Sequence, residues 1–182
     1  MNYSEIKYCD IANGEGVRTS LFVSGCRRGC PHCFNKETWS FTYGKPFTQE
    51  TEDAILESLK PPYIEGLTLL GGEPMELENQ EGLVCFVERV RKAFPDKTIW
   101  CFTGMLYEDL LEGGPFHGPY TDRLLACIDV LIDGPFEIEN YSIDLRFKGS
   151  SNQRIIDLAA SRKASKVVLW EDDPALLHGP IL

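Results

Sequence analysis

Residues 20–33 read Ser-Leu-Phe-Val-Ser-Gly-Cys-Arg-Arg-Gly-Cys-Pro-His-Cys, an apolar, β-prone run that breaks at a glycine and then sets cysteines at 26, 30 and 33. A short run of this composition fits a strand buried on both faces of a parallel sheet. The loop behind it is tight enough to bring three thiolates onto one metal centre, and thiolates suit zinc or an iron–sulfur cluster. Structural zinc takes four protein ligands. His32 lies inside the loop, which leaves Cys9, seventeen residues before Cys26, as the best fourth ligand for zinc. A three-cysteine [4Fe–4S] cluster instead leaves one iron without a protein ligand, an open site that catalysis requires and electron transfer does not. On spacing alone the catalytic cluster is favoured, with a zinc site and a plain electron carrier as the alternatives.

Outward from this loop, apolar runs alternate with helical periodicity. Strands are expected at residues 20–24, 67–70, 98–102, 130–132, 144–147 and 166–170. Thr48 is placed to cap a helix that buries Ile55, Leu56 and Leu59 and stops before Pro61-Pro62. A second helix over 79–94 puts Leu83, Val87, Val90 and Phe94 on one stripe, a third covers 121–128, and a fourth follows Asn152, its expected cap, through Ile155, Ile156 and Ala159. Strand–helix alternation implies an α/β fold with parallel pairing. About six mostly parallel strands are too few for a closed eight-stranded barrel, so a single-domain partial (β/α) barrel is expected, with an ordinary doubly wound sheet as the runner-up.

Gly71-Gly72-Glu73-Pro74, Thr103-Gly104 and Asp133-Gly134-Pro135 follow the next three expected strands. With the cysteine loop they make four turn-rich segments at the C-terminal edge of one sheet, where α/β folds build their sites. The Gly-Gly-Glu-Pro segment lacks the Lys-Ser/Thr of a phosphate loop. It reads either as a strand-ending turn or as a place where a ligand approaches the backbone and an ammonium group meets Glu73.

The chain has 182 residues and is read as one domain, 1–182, with a net charge of −10. That charge argues against a nucleic-acid partner. The start, MNYSEIKYCDI, has no signal-peptide pattern, and the apolar runs are too short to span a bilayer. Seven cysteines, an odd number, fit reduced thiols or metal ligands in the cytoplasm better than a disulfide framework. Cys85, Cys101 and Cys127 are expected to be core fillers. Arg27 and Arg28 are either solvated charges or faces for an acidic partner or electron donor.

The three-cysteine loop followed by Gly-Gly-Glu-Pro resembles the radical S-adenosylmethionine superfamily. Residues 13–19 (Asn-Gly-Glu-Gly-Val-Arg-Thr), 21–26, 33–35, 38–39, 99–104 and 129–134, and the run 146–154 (Arg-Phe-Lys-Gly-Ser-Ser-Asn-Gln-Arg), resemble one branch of it. That branch is the activating proteins of anaerobic (class III) ribonucleotide reductase. The likeness covers roughly residues 3–158; residues 159–182 lie largely outside it, and the tail 172–182 is expected to be peripheral.

The resemblance implies that Cys26, Cys30 and Cys33 hold a [4Fe–4S] cluster whose fourth iron takes the amino and carboxylate groups of S-adenosylmethionine. It implies reductive cleavage to a 5′-deoxyadenosyl radical and formation of a glycyl radical on the reductase's large subunit. It places His32 and Phe34 on the adenine side, Gly71, Gly72 and Glu73 at the methionine ammonium, and Asp133 near the ribose or carboxylate. It also implies a low-potential electron donor such as a flavodoxin. Pro135 stands where related activating enzymes often have a Lys, so no basic contact carries over there. An activator of another glycyl-radical enzyme, or a maturase, is the second possibility; isolated Cys85, Cys101 and Cys127 argue against the extra paired cysteines many of those carry. A zinc-stabilised binding module is the distant third.

Overall fold

The structure is a computed structural model and describes residues 1–170. Seven strands form one sheet: β1 (Asn2–Asp10), β2 (Val17–Val23), β3 (Lys45–Pro46), β4 (Ile64–Gly71), β5 (Thr98–Phe102), β6 (Val130–Asp133) and β7 (Arg154–Asp157). Their order is β3-β1-β2-β4-β5-β6-β7. The central four, β2, β4, β5 and β6, pair in parallel, while β1, β3 and β7 are antiparallel to their neighbours. The sheet is open, with β3 and β7 as its edges.

Side chains alternate across each strand, so every central strand feeds two layers. Leu21, Leu67, Leu69, Ile99, Cys101 and Leu131 face a buried layer shared with the helices. Those helices are α1 (Gln49–Ser58), α2 (Leu77–Ala93), α3 (Tyr107–Leu110), α4 (Thr121–Cys127) and α5 (Leu158–Ala164). Thr48 caps α1, its side chain accepting from the Thr51 N–H. The opposite face carries Trp100, Val130, Ile132 and Ile155, covered by Phe147 and Trp170.

Also on that face lies Arg18, 1% exposed, which ties three strands together. It donates to Thr68 Oγ1, the Leu67 carbonyl and both the hydroxyl and carbonyl of Thr98, and its guanidinium lies over the Trp100 ring. Burial lowers its pKa to about 10, which leaves it charged at neutral pH.

Several expectations are corrected. β1 was not expected: it is half-solvated and its register breaks twice, which removes the alternation that marks a strand. Residues 144–147 are a loop closed by the Tyr141–Ser150 bridge, not a strand. Residues 166–170 form no strand, though Leu169 bridges to Ile156 and the Trp170 N–H donates to the Ile155 carbonyl. The helix expected after Asn152 is instead β7 followed by α5, whose cap is Asp157, accepting from the Ala160 N–H at 2.8 Å. Asn152 donates to the Pro135 carbonyl instead. Cys101 and Cys127 are buried as expected, but Cys85 is exposed, because it sits opposite the Leu83–Val87–Val90 stripe of α2. The tail, 172–182, lies outside the described residues.

Candidate iron–sulfur and ligand site

The four turns meet at the C-terminal edge of the parallel strands, as their positions after β2, β4, β5 and β6 require. The end of β2 is stitched to its surroundings before the cysteines begin. The Gly25 N–H donates to the Thr38 carbonyl at 2.7 Å, and the Cys26 N–H to the Trp39 carbonyl at 3.1 Å. From β4, the Gly72 N–H donates to the Val23 carbonyl at 2.8 Å and the Glu73 N–H to the Gly25 carbonyl at 2.9 Å. Arg27 straps the loop to the start of α2: its backbone N–H and guanidinium both bond Glu76, the guanidinium also bonds Glu78, and it lies over Phe41.

Beyond this frame Cys26, Cys30 and Cys33, all partly buried, line one cleft of about 260 Å³. Its other walls include Gly71, Gly72 and Glu73 from β4, Thr103 and Gly104 after β5, and Gly134 and Phe136 after β6. Gly149 and Gln153 close it from the far side. Gln153 also holds the fourth turn, donating from Nε2 to the Gly134 carbonyl at 3.0 Å. Burial pushes the Cys26 thiol up to about 11, so in the metal-free chain it is protonated and ligation must displace that proton.

Glu73 is fully buried behind the cleft wall, and burial raises its pKa. Its Oε1 accepts from the Met75 N–H and from the Thr103 hydroxyl, and its Oε2 accepts from the Gly104 N–H at 2.8 Å. The side chain therefore locks the second turn to the third. Gly71 has φ +110°, and a Cβ there would meet the Val23 backbone at 2.7 Å. Both turn glycines are thus demanded by packing as well as lining the cleft.

The remaining site expectations fall unevenly. Phe34 lines the cleft while 74% exposed, its ring 5.5 Å from Phe136 and 6.4 Å from Tyr141. His32 is exposed at φ +61° and is not among the lining residues. Asp133 is fully buried and does not line the cleft; it accepts from the Tyr107 N–H and from a two-pronged Arg154 guanidinium, which also grips Glu108. Arg28 lines the cleft, a role for which the sequence offered only its position between two cysteines.

The donor set fits an iron–sulfur cluster. Cys9 lies at the Asp10–Arg18 end of the β1–β2 pair, while Cys26 follows the other end, so about 17 Å of strand separates them. Cys9 is therefore no fourth ligand. Among the described residues, no three His, Cys, Asp or Glu side chains gather closely enough to hold one metal ion. Zinc requires such convergence, with each sulfur about 2.3 Å from one centre. A cluster does not, since each thiolate takes its own iron.

Comparison with known proteins agrees with this class. A family described as a 4Fe-4S single cluster domain matches residues 12–156. The anaerobic ribonucleoside-triphosphate reductase-activating protein of Pasteurella multocida is 43% identical over 157 residues, covering 85% of this chain and 96% of that protein. Proteins of the same name from bacteriophage T4 (39% over 155 residues, 85% and 93%) and Escherichia coli K12 (38% over 155 residues, 84% and 96%) match along a similar length. The chain is an iron–sulfur protein of the single-cluster class. Within that class it belongs to the family of anaerobic ribonucleoside-triphosphate reductase-activating proteins.

Proposed function

We propose that this chain activates an anaerobic ribonucleotide reductase by radical chemistry on S-adenosylmethionine. The observation that carries it is the convergence of Cys26, Cys30 and Cys33 with the Gly71–Glu73, Thr103–Gly104 and Gly134 turns on one cleft. Bound and reduced, a [4Fe–4S] cluster there supplies the electron that splits S-adenosylmethionine and so yields the radical that abstracts hydrogen from a glycine of the reductase. The three cysteines hold the cluster, and the glycine turn leaves the backbone open to the methionine end. Phe34 offers an exposed ring for the adenine, with His32 at the loop's outer side; Asp133 acts through the turn that carries Gly134 rather than by contact. Glu73 keeps the second and third turns in register and lends its charge to the ammonium side. Residues 1–182 act as one domain, the open sheet being the partial barrel of the radical-SAM type. The protein works in the cytoplasm and takes its electron from a low-potential donor such as a flavodoxin. No helix among the described residues is long and apolar enough to cross a membrane.

Anaerobic reconstitution with iron and sulfide tests this. About four irons per chain are expected, with methionine released from S-adenosylmethionine on reduction and both properties lost in Cys30→Ala. Cleavage that survives Cys30→Ala overturns the assignment. Mixed with a class III reductase, the reduced protein should produce a glycyl-radical EPR signal; cleavage without that signal for any such reductase redirects the activity to another glycyl-radical enzyme.

A further inference from the structure

We infer that Arg28 binds the carboxylate of the methionine moiety, an inference that rests on the proposal that the cleft receives S-adenosylmethionine. The cleft is lined by two charged side chains, Arg28 and Glu73. Glu73 is itself an acid whose oxygens already accept from Met75, Thr103 and Gly104, so it offers nothing to a ligand carboxylate. Arg28 is the opposite case. Its Nε is buried with no hydrogen-bond partner, a donor withdrawn from water and left without an acceptor. The side chain lies across the third turn, where Gly104 leaves room for it: a Cβ on that glycine would stand 2.5 Å from Arg28 Nε.

Other cations near the rim are committed. Arg27 is held by Glu76 and Glu78, and Arg154 by Asp133 and Glu108. Lys148 donates to the Gln153 carbonyl. Pro135, on the fourth turn, offers no donor. A ligand with a carboxylate that enters beside the cysteines therefore meets the Arg28 guanidinium, which can donate a charge-assisted N–H···O bond to the carboxylate oxygen that an iron would leave free.

The rival role for Arg28 is structural, as a counter-charge to buried Glu73. Binding to two ligands separates them. Reconstituted wild type, Arg28→Gln and Arg28→Lys are each titrated by anaerobic equilibrium dialysis with S-adenosylmethionine and with its decarboxylated form, and iron content is measured alongside. Arg28→Gln is expected to weaken S-adenosylmethionine binding by roughly 10- to 100-fold, to change binding of the decarboxylated ligand less than about twofold, and Arg28→Lys to recover part of the loss. Equal weakening for both ligands, or no weakening, overturns the inference. Where Arg28→Gln loads no iron, the comparison is made on Arg28→Lys; failure of both to load assigns Arg28 to the fold and overturns it as well. Wild type that binds neither ligand removes the proposed function together with this inference, whereas wild type that binds while Arg28→Gln binds as tightly removes this inference alone.

Discussion

At the scale of single residues, Gly72 shows how tightly the end of β4 is pressed onto the cysteine loop. A Cβ there would lie 2.7 Å from the Gly25 carbonyl oxygen and 2.9 Å from that of Thr38, both backbone atoms that cannot rotate away. Gly72→Ala is therefore expected to destabilise the protein by about 1–3 kcal/mol through overpacking, and to lower iron loading by displacing the segment that carries Cys26. Urea unfolding and iron assay check this; an alanine variant with unchanged midpoint and iron content would contradict it. Glu73 marks where reading the sequence stops. Its place in a glycine turn suggested a free ligand, and nothing local shows that Thr103 and Gly104, thirty residues on, take up its oxygens. Arg28 was equally opaque: a cation between two cysteines is a solvated charge until the third turn is folded against it.

At the scale of elements, α3, β6 and β7 are joined by one guanidinium. Arg154 opens β7, grips Asp133 at the end of β6 and reaches Glu108 on α3. This ion pair, with the antiparallel pairing of Ile155 and Ile156 to β6, explains why the run expected as a helix is a strand. A pair of isoleucines before Asp-Leu-Ala-Ala satisfies either period, and the deciding partners lie more than twenty residues away. The parallel core was legible because each of its strands holds a short, mostly apolar run (Leu21–Val23, Leu67–Leu70, Ile99–Phe102, Val130–Ile132), while β1 and β7, antiparallel and outside it, carry more mixed sequence. Arg154→Met leaves the buried Asp133 carboxylate unpaired and is expected to cost about 3–5 kcal/mol. The double variant Asp133→Asn with Arg154→Met should recover part of that loss, and chemical denaturation of the set checks it. Glu108 is the exposed end of the network. Hydrogen bonds from Arg154 hold its carboxylate below the usual value of 4.5, so it contributes stability above that pH and loses it as pH falls through the lowered value. Wild type should then exceed Glu108→Gln by less than about 1 kcal/mol near neutrality, with the gap closing below pH 4.5. A gap that widens in acid would reverse this account.

At the scale of the whole molecule, the cysteine loop lies outside the strands, on the rim of a sheet with its own buried core. The buried layer between sheet and helices runs from Leu21 to Leu158, and the loop that carries the cysteines is anchored by protein hydrogen bonds from Gly25, Cys26, Gly72 and Glu73. None of the seven strands carries Cys26, Cys30 or Cys33. Small zinc-folded modules are the contrasting case, since in them metal-binding energy is the folding energy and chelation unfolds the chain. Stripping the iron should accordingly leave the far-UV circular dichroism unchanged and the thermal transition cooperative. The melting temperature should fall, because a group that binds only the native state stabilises it by mass action. The loss of protection should be concentrated where the cluster is held: amide exchange should rise across residues 26–35 while β4 and β5 stay protected to near the global limit. If chelation instead abolishes the sheet signal, folding resides in the metal, and the cysteine loop must be read as the organising centre of the domain rather than as a site carried on its rim.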